Sequence, residues 1–202
     1  REDQQFCRGR AESRKRAVTA GRARICAALA RARERMGIDG LLPFVSSALS
    51  DAHVSQFRGM AVAVDASGWL HRGAHACATE LALGQATDKF LGFALRMVKM
   101  LQANGVTPVL VFDGGALPMK ERTHIQRRKQ REEAMEQGHR LLGQGHRSEA
   151  YACFAKAVAV TPAMARQLIA ALRSQRVPYV VAPYEADAQL ALLVSRGHCA
   201  CA

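Results

Sequence analysis

Three short apolar runs, each followed closely by an acidic residue, constrain the fold of this 202-residue chain most strongly. They are residues 60–64 before Asp65, Thr107–Phe112 before Asp113, and 177–182 before Glu185. Valine-rich runs of about six residues are typical of strands buried on both faces of a parallel sheet. Because the carboxyl ends of parallel strands lie at one edge of a sheet, we expect the acids to meet there.

The segments between these runs have helical patterns. Thr87 is expected to be the N-cap of a helix that Asn104 and Gly105 close. Its apolar positions recur at helical spacing and predict a buried face: Phe90, Phe93, Ala94, Met97, Val98 and Leu101. Strand, helix and strand in this order indicate an α/β fold with a parallel central sheet and flanking helices.

Residues 117–175 are helical in pattern almost throughout, with breaks at 143–145 and 161–162. We interpret about 116–175 as a helical arch inserted between the second and third strands. A last helix follows Glu185 and ends at Gly197. The sheet is expected to be truncated before completion, with a fourth strand starting at the end of the chain.

The formal charge of +12 comes from two basic segments. Residues 1–35 hold 11 Lys and Arg against four acids, and residues 116–131 hold six against Glu121 alone. A basic excess indicates a polyanionic partner, either nucleic acid or an anionic membrane surface. Aromatic residues make up only 5% of the chain, which argues against a base-stacking surface, and no apolar run reaches the roughly 18 residues of a membrane span.

We expect residues 1–35 to be a disordered or non-native extension, and Met36 to be the true start of a domain covering 36–202. A transit peptide is the alternative for the Arg-rich segment, and its four acids disfavour that interpretation. The six cysteines lack paired Cys-x-x-Cys spacing and are expected to be reduced thiols.

Four acids at the strand ends form the candidate site, which we call the acid edge: Asp65, Asp113, Glu185 and Asp187. Converging carboxylates repel one another unless cations neutralise them, and Mg²⁺ prefers oxygen ligands. Taken singly, each acid is as readily a turn residue or a helix cap. The basic segment after Asp113 is as readily a solvated helix face, but it lacks Glu residues four positions before its cations, which favours phosphate contact.

Four motifs resemble the structure-specific 5′-nuclease superfamily of flap endonucleases. They are residues 36–42 (MGIDGLL), 62–71 (VAVDASGWLH), 111–114 (VFDG) and 182–190 (APYEADAQL). Within the superfamily, residues 69–73 (WLHRG) and 145–150 (GHRSEA) are similar to the exonuclease 1 group. The resemblance extends from Met36 to Ala202.

The resemblance implies a PIN-like 5′-nuclease fold and Mg²⁺-dependent phosphodiester hydrolysis with two ions in the complete protein. It implies 5′→3′ exonuclease action on double-stranded DNA and cleavage of 5′ flaps, in DNA repair and in the nucleus. The partners implied are DNA with a 5′ end or flap and mismatch-repair proteins; we expect a monomer that binds no membrane.

By the same resemblance, the acid edge corresponds to metal ligands, and Lys120 and Arg127 to catalytic arch residues that reach the scissile phosphate. The further DNA-binding positions implied are Gly37, Leu41, Leu42, His71, Arg128 and Arg131. Leu41 and Leu42 would form an apolar wedge against bent duplex, and an ordinary core role is an equal alternative.

Two departures from the superfamily pattern affect these expectations. Ser67 occupies a position where exonuclease 1 proteins often carry an aromatic residue near the 5′ nucleotides. The superfamily also has two further metal-ligating Asp residues and a K⁺-binding duplex clamp, which would lie beyond Ala202. We therefore expect the chain alone to be nearly inactive.

Two other classes of function stay open at this point. A catalytically silent DNA-binding or scaffolding fragment would use the arch without holding the metals. A binder of anionic surfaces would depend on residues 1–35 and would lose nucleic acid binding when they are deleted.

Overall fold

The computed structural model describes residues 40–46 and 52–202. The chain separates into two units between Ala52 and His53. In the first unit, a short helix, α1, covers Leu41–Phe44. The extension 1–35 and Gly37 lie outside the described residues, as do the side chains of Leu41 and Leu42.

Three parallel strands form the sheet of the second unit, in the order β1-β2-β3. They are β1 (Ala61–Asp65), β2 (Thr107–Phe112) and β3 (Tyr179–Val181). Asp65 is paired in register with Val111, and Phe112 with Val181, so the three strands end together. The predicted parallel α/β fold is confirmed; β2 has the predicted bounds, β1 is shifted by one residue, and β3 is shorter.

Three helices connect β1 to β2: α2 (Ala66–Ala76), α3 (Ala78–Ala82) and α4 (Leu91–Ala103). The prediction that Thr87 caps α4 is wrong, because the helix begins at Leu91. The Thr87 hydroxyl instead accepts a hydrogen bond from the Lys89 amide and donates one to Glu80. Such a local side-chain bond stabilises a turn in competition with helix. Gly105 ends α4 at a φ of +77°, as predicted.

The predicted helical insertion is present between β2 and β3. A 3-10 turn at Pro118–Lys120 leads into α5 (Glu121–Gly143), α6 (Arg147–Ala157) and α7 (Pro162–Ser174). The helix α8 (Ala186–Ser195) follows β3, and a further 3-10 turn covers Val54–Phe57. The predicted breaks separate these helices: Gly145 has a φ of +86°, and the Thr161 hydroxyl caps α7 through the Met164 amide.

The core forms where the helices pack on one another and on the sheet, and its largest buried side chains include Phe90, Leu110 and Phe154. Gly138 in α5 permits α6 to approach closely, because a Cβ there would lie 2.5 Å from the Phe154 ring. This contact holds α5 and α6 of the inserted segment against each other.

The chain returns to the sheet at its last residues. The Ala200 amide donates to the Ala61 carbonyl, and the Ala63 amide donates to the Cys201 carbonyl, in a parallel bridge. The neighbouring Met60 carbonyl accepts from Thr107 of β2. Successive carbonyls of a strand face opposite sides, so residues 200–201 pair with the edge of β1 away from β2. The sequence predicts the start of a fourth strand at these residues, and the structure has an isolated bridge there.

None of the helices within residues 40–46 and 52–202 combines the length and apolar character needed to cross a bilayer.

Candidate functional site

The acid edge lies where the three parallel strands end. Asp65 is the last residue of β1, Asp113 follows β2 directly, and Glu185 and Asp187 flank the start of α8 after β3. The register of the strands places these ends at the same edge of the sheet. The predicted convergence therefore has its structural basis in the in-phase ending of β1, β2 and β3.

Asp65 caps α2 and is half-buried. Its Oδ1 accepts from the Ser67 amide at 2.8 Å and its Oδ2 from the Gly68 amide at 3.2 Å. Burial raises the pKa of Asp65, the bonds from Ser67 and Gly68 oppose the rise, and the charges of Asp113 and Asp187 add to it. The charges of two other acids of the edge thus act on Asp65.

Asp113 is held by two different elements. The Ser67 hydroxyl donates to its Oδ2 at 2.6 Å, and the Ala186 amide at the start of α8 donates to its Oδ1 at 2.8 Å. Gly114 brings the loop against the end of β3, because a Cβ there would lie 1.9 Å from the Ala182 carbonyl oxygen. The Asp-Gly pair is therefore required by tertiary packing as well as by the turn.

Glu185 is paired with Lys120 across 65 residues of sequence. The Lys120 Nζ donates to both carboxylate oxygens, at 2.7 and 2.6 Å. The two side chains are 51% and 30% exposed, so solvent reaches the pair. A predicted metal ligand and a predicted phosphate-binding residue therefore contact each other directly, which joins the base of the arch to the acid edge.

The other predicted arch cations lie further along α5. Residues 121–130 are exposed without exception, including Arg127 and Arg128, and Arg131 is half-buried. The inference that this helix face is not salt-bridged is wrong in part: Glu132 lies 3.8 Å from Arg128, and Glu133 lies 4.0 Å from Lys129. The compensating acids stand four residues after the cations rather than four before.

His71 lies on α2, the helix that Asp65 caps. Burial, the neighbouring His75 and the charge of Arg131 all lower the pKa of His71, in that order, and a bond to the Val158 backbone opposes them. The His71 and His75 rings are 4.6 Å apart. The charge of Arg131, 60 positions along the chain, thus acts on His71.

The donor set of the acid edge fits a hard divalent cation, because all its ligand atoms are carboxylate oxygens whose mutual repulsion a cation would relieve. The positions of these carboxylates fit a bound cation less closely. In the described part of the chain, no three His, Cys, Asp or Glu side chains are grouped so as to hold one ion. Ser67, Ala186 and Lys120 instead occupy oxygens of Asp113 and Glu185.

The contact of Ser67 with two acids is not evident from the sequence. The only signal was its place two residues after a strand-end Asp, which predicts a capping amide and says nothing of where the hydroxyl points. His75 was missed as well, although its spacing of four from His71 places both rings on one helix face. Gly37 and the side chains of Leu41 and Leu42 lie outside the described residues.

Comparison with known proteins gives the family. Residues 36–134 match the XPG N-terminal domain. Exonuclease 1 of Xenopus laevis is 48% identical over 158 residues, which are 78% of this chain and 22% of that protein. Exodeoxyribonuclease 1 of Schizosaccharomyces pombe is 46% identical over 78% of this chain and 28% of that protein. The catalytic core of Rad2 in complex with DNA substrate superposes with a TM-score of 0.58 at 25% identity, over 81% of this chain and 44% of that one.

The sequence matches and the fold agree: the chain belongs to the structure-specific 5′-nuclease superfamily. Within that class, its similarity is to exonuclease 1 proteins, as the sequence motifs predicted. The chain spans between a fifth and three tenths of the length of these two relatives.

Proposed function

We propose that this chain is the N-terminal part of a Mg²⁺-dependent nuclease that degrades double-stranded DNA from 5′ ends and cleaves 5′ flaps. The exonuclease names of its relatives support the nuclease part, and DNA repair in the nucleus is the place that we propose for it. One observation carries the proposal: Lys120, at the base of the basic helix, contacts Glu185 of the acid edge. A phosphate bound by the base of the arch would therefore lie beside the carboxylates.

The charge distribution of α5 supports a phosphate-binding role. Residues 121–131 carry five Lys and Arg against Glu121, whereas residues 132–143 carry three Glu against Arg140. The helix dipole favours the opposite order, with acids near the N-terminus and cations near the C-terminus. Residues 121–130, in the basic half of the helix, are all exposed and take no part in the core. Arg128 and Lys129 are paired with acids on the same helix. Neither the helix dipole nor core packing explains the other cations, and a polyanionic ligand does.

In this proposal the acid edge would hold Mg²⁺ through Asp65, Asp113, Glu185 and Asp187. Bound Mg²⁺ supplies Lewis-acid polarisation of the phosphate and a water molecule of lowered pKa. Lys120 and Arg127 bind the scissile phosphate and offset the negative charge that develops on it. Arg128, Arg131 and His71 hold the adjoining backbone near the 5′ end.

The activity of the relatives belongs to chains several times longer than this one. We therefore propose that the 202-residue chain binds DNA but hydrolyses it very slowly. A catalytically silent DNA-binding fragment remains the second candidate, because no three described side chains are grouped to hold one ion.

Fluorescence anisotropy with a 5′-flap duplex, measured over a salt series, tests the DNA-binding part. Arg127→Ala is expected to weaken binding and to reduce the slope of log affinity against log salt by about one. Arg140→Ala, in the last turn of the same helix, is the matched control and should have a smaller effect. Deletion of residues 1–35 should leave the effect of Arg127→Ala intact; loss of all DNA binding on deletion would show that the extension is the binding element.

Binding of Mn²⁺, used as a probe for Mg²⁺, separates the nuclease from the silent fragment. Isothermal titration of the wild-type chain and of Asp65→Asn should show a cation affinity that the substitution abolishes or weakens by at least tenfold. Equal Mn²⁺ affinity in both proteins would exclude the metal role of the acid edge and leave the DNA-binding fragment as the function.

A further inference from the structure

Ser67 contacts two carboxylates of the acid edge at once. Its backbone amide donates to Asp65 Oδ1 at 2.8 Å, and its hydroxyl donates to Asp113 Oδ2 at 2.6 Å. Asp65 and Asp113 end neighbouring strands, so a single residue in the first turn of α2 connects β1 with β2 at the site.

Helix capping accounts for only one of these two bonds. Capping of α2 requires backbone amides, and Asp65 receives those of Ser67 and Gly68. The Ser67 hydroxyl takes no part in it and reaches a residue 46 positions away. Alanine at position 67 would donate the same backbone amide to Asp65. Capping therefore does not account for the hydroxyl.

The Ser67 hydroxyl is one of two groups that donate hydrogen bonds to the Asp113 carboxylate. Asp113 lies exposed in the loop after β2, and its other oxygen accepts from the Ala186 amide. Among the described residues, Ser67 provides the side-chain hydrogen bond that Asp113 receives. One oxygen is bonded from α2 and the other from α8, so rotation of the carboxylate is restricted. A hydrogen bond from a hydroxyl to a carboxylate is of the strong, charge-assisted kind.

We propose that Ser67 is a positioning residue of the acid edge: its hydroxyl orients the Asp113 carboxylate between α2 and α8. Position 67 is the one at which the resemblance implies an aromatic residue. The serine present there is instead directed to Asp113. The consequence for cation binding rests on the proposed function, whereas the orientation of Asp113 does not. Residues that orient metal ligands typically change metal affinity by about 10- to 100-fold when they are replaced.

The first measurement needs no metal. Hydrogen exchange of the Ala186 amide, followed by NMR in the metal-free chain, reports whether Asp113 stays in place. Ser67→Ala is expected to accelerate this exchange several-fold, and Ser67→Thr, which keeps the hydroxyl, should retain the wild-type rate. Ser174→Ala is the matched control, because it removes an exposed serine hydroxyl that bonds only within α7. Unchanged exchange at Ala186 in Ser67→Ala would overturn the positioning role.

The second measurement uses Mn²⁺ titration of the same proteins, with Asp65→Asn as reference. We expect Ser67→Ala to weaken Mn²⁺ binding about tenfold and Ser67→Thr to restore it. If Asp65→Asn weakens binding and Ser67→Ala does not, the proposed role in cation binding is wrong. If Asp65→Asn has no effect, the proposed function fails, and exchange at Ala186 alone decides the positioning role.

Discussion

Replacing Lys120 with methionine should change cation binding and DNA binding in opposite directions. The substitution keeps the length of the side chain and removes the charge that is paired with both oxygens of Glu185. A cation at the acid edge must compete with this pair, so its loss should raise the affinity for Mn²⁺. DNA affinity should fall, because a proposed phosphate contact is removed.

The size of the effect follows from the exposure of the pair. Side chains that are 51% and 30% exposed form an ion pair screened by water, and pairs of this kind contribute about 0.2–1 kcal/mol. Since 1.4 kcal/mol corresponds to a factor of ten, Mn²⁺ affinity should rise by at most about fivefold. For DNA, one lost phosphate contact should reduce the slope against log salt by about one.

Isothermal titration with Mn²⁺ measures the first effect, and anisotropy over a salt series measures the second. Lys129→Met is the matched control for the titration, because it makes the same charge change at a cation that lies 4.0 Å from Glu133 on α5 itself. Equal gains in the two variants would show a general charge effect. Unchanged or weaker Mn²⁺ binding in Lys120→Met would refute competition at Glu185.

Three further substitutions test the packing and the electrostatics. Gly138→Ala should destabilise the chain by about 1–3 kcal/mol in urea, because its Cβ would meet the buried Phe154 ring at 2.5 Å; Gly143→Ala, with no atom within 4 Å, should not. Asp65→Asn should stabilise the folded chain at neutral pH. The pKa of Asp65 is raised in the folded state, so the wild-type chain loses stability as the pH rises through that pKa, and the asparagine removes this loss. A gain in stability that does not shrink on acidification towards pH 4 would contradict the reasoning. His75→Gln should reduce the loss of thermal stability below about pH 6.5, where the lowered pKa of His75 favours protonation of the unfolded chain.

Much of the fold could be predicted because local signals coincide with tertiary ones. Residues 107–112 form β2 as predicted, since Gly105 ends the preceding helix with a positive φ and Asp113 begins the loop. Thr87 shows the limit of such signals. The Thr87 hydroxyl forms hydrogen bonds in a turn that includes Glu80 and Lys89 rather than capping the helix. The pattern of apolar residues does not reveal which of these hydrogen bonds forms.

The sequence by itself determined which acids lie at the ends of the strands. Each is tied to the end of a strand or the start of a helix, and parallel strands must end at one edge. It also determined the charged segment that follows Asp113, because composition is independent of folding.

Only the tertiary structure decided what those side chains contact. Ser67 reaches Asp113 over 46 residues, and Lys120 reaches Glu185 over 65. These contacts depend on the register of β1, β2 and β3 and on where the arch leaves the sheet, and no periodicity in a single segment encodes either. The sequence thus specifies the chemical groups of the site, and packing between distant segments specifies their partners.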